Sequence, residues 1–151
     1  PLHRILFHSL SLTANFALGA DDKAKISMQQ LFTSGHIRPA TLLRLAKKLI
    51  EIQKPFEAER VLQFLLKQNP GNHSALCEKI RVDLMTGKTE QAIKLSRAML
   101  ENRAMPFALM KDLALNLGSD RQLFHPEGAA LIREILDSMT PTDTQKFLEV
   151  L

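Results

Sequence analysis

The chain has 151 residues, enough for one domain with a substantial core, and is 45% apolar and 24% charged, an ordinary globular balance. Its net charge of +4 is lower than a dedicated nucleic-acid binder carries, and its single cysteine, Cys77, excludes an internal disulfide. No apolar run approaches the length of a membrane span, and the broken apolar stretch at the start does not read as a signal peptide.

Trp and Tyr are absent and Leu is abundant, which favours helix over strand. From the N-terminus, Leu2, Ile5, Leu6, Leu10, Leu12, Phe16 and Ala17 recur at helical spacing, and Gly19 ends that helix. Asp21 and Asp22 are expected to cap a second helix running to Thr33, with Ala24, Met28, Leu31 and Phe32 on one face. Pro39 opens a third helix at its first position, where a missing N–H costs nothing, and Pro55 opens a fourth. Asn69-Pro70-Gly71-Asn72 is a turn, and Asn72 caps a fifth helix running to about Met85. Thr86-Gly87-Lys88 turns the chain into a sixth helix over Thr89–Glu101. Pro106 opens a seventh, closed by Gly118. A longer connection over Ser119–His125 leads to an eighth from Pro126. Thr140-Pro141-Thr142-Asp143 resembles a capping box before a last helix over 142–151.

These helices fall into hairpins with a period of about 34 residues, a tetratricopeptide-type length. Ala24, Ala58 and Ala92 stand one unit apart near the start of each second helix. A small residue is required there because two helices joined by a tight turn come closest beside it. Gly19 and Gly87 stand two units apart at the turns inside hairpins, and Gly128 takes the small-residue position in an irregular fourth hairpin.

Leu45-Ala46, Ala58 and Pro70 in the second unit, Gly87 and Ala92 in the third, and Gly19 and Ala24 in the first resemble the tetratricopeptide repeat (TPR) family over roughly residues 5–140. The units diverge from the family pattern. Its early Trp is replaced by His8, Leu42 and Leu76, and its Tyr by Asn15, Leu49 and Asp83. The pentatricopeptide and half-a-tetratricopeptide families share the same kind of hairpin and remain alternatives. The resemblance implies an all-α, right-handed stack of antiparallel helical hairpins, an α-solenoid of about four hairpins plus a C-terminal capping helix. It would be a single domain over 1–151, with units at 5–38, 39–72, 73–106 and 107–141, a cap at 142–151, and the character of a piece of a longer protein.

The resemblance also implies that the first helices line a groove for a peptide or helix. The corresponding positions are Ser9 and Thr13, Leu43 and Lys47, Cys77 and Arg81, and Lys111 and Leu115. Members of each pair are four residues apart and share a helix face. Lys47, Arg81 and Lys111 are cationic and none of the eight is acidic, so an acidic or amphipathic protein segment is the expected partner. The Asn residues of the family's carboxylate clamp are absent, so heat-shock chaperone tails are not implied.

Charge is uneven. Residues 39–111 hold 13 Lys/Arg against 7 Asp/Glu, and residues 126–151 hold 2 against 5. Solvated helix faces account for this; a basic binding face with an acidic end is the alternative.

Catalytic chemistry is not legible. His3, His8, His36, His73 and His125 have no i,i+3 or i,i+4 pairing, so no helical metal site is expected. No phosphate loop or nucleophile elbow occurs, Cys77 has no evident base, and Asp21-Asp22 is explained by capping. Neither an enzyme nor a cofactor is expected. RNA binding draws on stacking aromatics, but Phe16, Phe32, Phe56 and Phe64 fall on or near apolar faces claimed by the core. The reading is a protein-interaction module; an RNA-binding repeat or a regulatory segment of an enzyme are the alternatives. A reducing compartment such as the cytoplasm fits the lone cysteine.

Overall fold

A computed structural model describes residues 2–117 and 126–149. Within them the protein is all-α, with no strand. The helices are α1 (Leu2–Ala17), α2 (Asp21–Thr33), α3 (Pro39–Glu51), α4 (Pro55–Gln68), α5 (His73–Met85), α6 (Thr89–Glu101), α7 (Phe107–Leu117), α8 (Pro126–Ser138) and α9 (Pro141–Leu148). The predicted closing Gly118 and the connection over Ser119–His125 lie outside the described residues.

The helix boundaries repeat. Helices α2, α4 and α6 start at Asp21, Pro55 and Thr89, while α3, α5 and α7 start at Pro39, His73 and Phe107, and both series advance by 34 residues. The turns repeat with them. Gly19, Gln53 and Gly87 take left-handed φ values of 72°, 59° and 77°. The next N–H folds back over the helix end, from Ala20 to the Asn15 carbonyl and from Lys54 to the Leu49 carbonyl, both at 2.8 Å. This closes the free carbonyls of α1 and α3 in the six-to-one pattern of a Schellman cap. Gln53 holds by tertiary constraint a conformation that glycine adopts freely. Five residues on from these positions come Ala24, Ala58 and Ala92, each fully buried. Their N–H groups bond to the carbonyls of Ala20, Lys54 and Lys88 at 3.0, 3.0 and 3.1 Å.

By internal packing the chain divides into two compact units, Pro1–Gly87 and Lys88–Leu151. The boundary falls at the turn between α5 and α6, which the sequence reading places within one hairpin. In the first unit α1 packs on α2 and α3 on α4, while α1, α3 and α5 touch in series and α4 packs on α5. Its core runs through Leu12, Phe16, Leu31, Leu42, Leu49, Leu62 and Leu65. In the second unit α8 packs on both α6 and α7, and Ile93, Leu109, Leu113, Leu131 and Ile135 are buried.

Three local expectations need correction. Asp21 and Asp22 do not cap α2: Ala20 is its N-cap, without a side-chain bond, and both aspartates lie in the first turn. The turn after Gly19 brings the chain into helix earlier, and the Asp21 carboxylate accepts from Lys54 Nζ at 3.1 Å instead. On α1 the apolar residues form two stripes, of which only the one through Leu12 and Phe16 is buried. Leu6, Leu10 and Ala17 are exposed, because a neighbouring helix covers only part of a wide apolar arc. Phe56 is also exposed, at the first turn of α4. By contrast, the Asn72 side chain caps α5 by accepting from the Ala75 N–H at 3.1 Å, and Thr140 accepts from the Asp143 N–H at 3.2 Å. Ile37 and Met105, each two residues before a first helix, are buried loop residues that the helical pattern did not mark.

Candidate functional site

Helices α1 and α3 line an open cleft of about 450 Å³ with Ser9, Thr13 and Lys47 together with Leu6, Leu10, Arg44, Lys48 and one carboxylate, Glu51. Three of the eight residues expected in a groove therefore meet in one place. Leu6 and Leu10, one helical turn apart, expose 56% and 60% of their surface, which makes the cleft apolar on its α1 side. The Ser9 hydroxyl donates to the Ile5 carbonyl at 2.8 Å, and Thr13 shares its proton between the Ser9 and Leu10 carbonyls. Both hydroxyl protons are spent on the helix, so these oxygens can only accept from a ligand. Arg44 is exposed, and Lys48 pairs with Glu51 at 2.8 Å.

The remaining expected positions differ in character. Leu43 is half-buried against the core. Cys77 is buried, and desolvation pushes its thiol above the ordinary range, opposed by the charge of Arg81. A neutral, covered thiol of this kind behaves as a small hydrophobe rather than a nucleophile. Lys111 is half-buried and Leu115 exposed, both on α7 in the second unit.

Three buried carboxylates, Glu78, Glu59 and Asp83, change the electrostatics. Glu78 is only 5% exposed; Arg81 Nη1 donates to it at 2.9 Å and Lys47 Nζ lies 3.9 Å away. Two of the three expected groove cations thus share one buried anion. The Glu78–Arg81 pair was legible as an i,i+3 spacing, whereas Lys47 reaches it only through the packing of α3 on α5. Between α4 and α5, Lys79 bridges Glu59 at 3.4 Å and Asp83, which is almost wholly buried. Asp83 is the most deeply buried of these carboxylates, and Lys79 supplies the charge that lets it stand there.

The aromatics divide. Phe16 is buried beneath Lys54, whose Nζ lies 5.3 Å from the ring centre. Phe32 and Phe64 stack on each other at 4.7 Å. His8 Nδ1 is buried without a hydrogen-bond partner among the described residues. Among these residues no group of three His, Cys, Asp or Glu side chains is placed to hold a metal ion, and no helix is long and apolar enough to cross a membrane. No family model, curated protein or solved structure matches the chain.

Proposed function

We propose that the chain is a protein-interaction module. In this reading its hairpins form a right-handed, tetratricopeptide-like stack, and the first helices of unit 1 hold a peptide or helix from a partner protein. The 34-residue recurrence of helix starts, left-handed turn residues and buried alanines supports the repeat. The single observation that carries the binding site is the α1/α3 cleft, where exposed Leu6 and Leu10 share the lining with exposed Arg44 and with Lys47, whose Nζ also lies 3.9 Å from Glu78. Leucines left in water at a concave surface gain by covering an apolar side chain, and the cations select an acidic neighbour for it. The expected partner segment is amphipathic, with one or two apolar anchors and flanking carboxylates.

The test is to pan a random peptide display library against the wild-type chain and against a Leu6→Glu/Leu10→Glu variant. Both leucines are exposed, so the variant is expected to keep its helical circular dichroism and melting behaviour. Enriched peptides should carry apolar anchors beside Asp or Glu and bind the variant at least roughly tenfold more weakly. Equal enrichment and affinity on both proteins would remove the cleft as the binding site.

A further inference from the structure

A second cleft, of about 640 Å³, lies on the second helices of unit 1, between α2 and α4. Its floor is apolar: Met28 is buried and the stacked rings of Phe32 and Phe64 are half-buried. Its rim carries three exposed cations, Lys25 on α2 and Arg60 and Lys67 on α4. No carboxylate lines the cleft, and none of the three cations makes an ion pair among the described residues. Glu59, the residue before Arg60, faces Lys79 instead at 3.4 Å.

We infer that this cleft docks an amphipathic helix of a partner protein that presents carboxylates two turns apart with an apolar residue between them. Like charges gathered over an apolar floor repel one another and raise the local positive potential, so an anionic ligand gains there. Spacing sets the form of that ligand. Arg60 and Lys67 are seven residues apart on α4, which places them on one face about 10 Å from each other along the axis. Carboxylates seven residues apart on a facing helix match that distance, and a leucine between them meets the phenyl rings. A protein segment is favoured over single-stranded nucleic acid because Phe32 and Phe64 spend their faces on each other and on the core. That leaves each half-buried ring at most one face, where a base needs an open platform. This surface uses none of the α1/α3 residues, so the two sites are separable.

The experiment titrates the full chain into three labelled probes at low salt, following fluorescence anisotropy. The probes are a short alanine-based helix with Glu at positions seven apart and Leu between them, the same helix with Gln for Glu, and oligo-uridine. The acidic helix should bind at least roughly tenfold tighter than its Gln counterpart. Arg60→Glu combined with Lys67→Glu should abolish that preference, with Arg60→Lys retaining most of it and Leu6→Glu/Leu10→Glu leaving it unchanged. Equal binding of the Glu and Gln helices, an unchanged preference in the double reversal, or tighter binding of oligo-uridine that the double reversal removes would each overturn the proposal. Unaltered circular dichroism and melting of the double reversal assigns its loss to the surface rather than to unfolding.

Discussion

Unit 1 and unit 2 are built from the same kind of helix but obey the repeat to different degrees. In unit 1 every turn inside a hairpin has a left-handed residue and every second helix a buried alanine at its fourth position. In unit 2 that arrangement holds at α6 with Ala92, then shifts. The buried small residue of α8 is Gly128, one position earlier in its helix, and Ala129 is exposed. Charge separates the units too. Residues 1–87 hold twelve Lys/Arg against seven Asp/Glu, and residues 88–151 hold eight against nine. The lesson is that the backbone period and the surface charge both change between the units: unit 2 departs from the 34-residue spacing at α8, and its net charge is of opposite sign.

The comparison can be broken most sharply at the small residues. Ala58→Leu pushes a branched side chain into a fully buried site beside the hairpin turn. It should destabilise unit 1 by about 3 kcal/mol through overpacking. Ala129→Leu on the exposed side of α8 should change stability by no more than about 0.5 kcal/mol. Urea denaturation measures both; equal effects would mean that the shift seen in α8 has no consequence for packing.

A smaller effect is expected at the charged cluster around Asp83 on α5. Asp83→Ala leaves the largely buried Lys79 with only Glu59 as its ion-pair partner, and should cost about 2 kcal/mol. Adding Lys79→Met should recover part of that loss. A double variant less stable than the single would show that Lys79 is held by something other than its two carboxylates.

Smaller effects than at the charged cluster should come from the turns, and with opposite signs. Gly87→Ala has open space for the new methyl but must hold φ at +77°, so it should cost about 1 kcal/mol. Gln53→Gly relieves the same left-handed constraint and should lie within about 1 kcal/mol of wild type on the stabilising side. Thermal melts of the two variants decide it; a destabilising Gln53→Gly would mean that the entropy glycine adds to the unfolded chain outweighs the strain it removes.

What the amino-acid order determined by itself was the set of helices and their period. Pro39, Pro55, Pro126, Gly19, Gly87 and the Asn72 cap act on their own backbone within a turn, so their effects are readable without knowing the neighbours. The left-handed Gln53 was not read from the sequence: it stands midway between Gly19 and Gly87, but its residue type hides the conformation. Only the tertiary structure decided which apolar stripe of α1 is covered, that Glu78 takes up Lys47 and Arg81, and that Phe32 and Phe64 meet beneath three cations. Those outcomes depend on burial and charge between side chains brought together from distant parts of the sequence, and a local pattern carries no information about which helix will lie opposite.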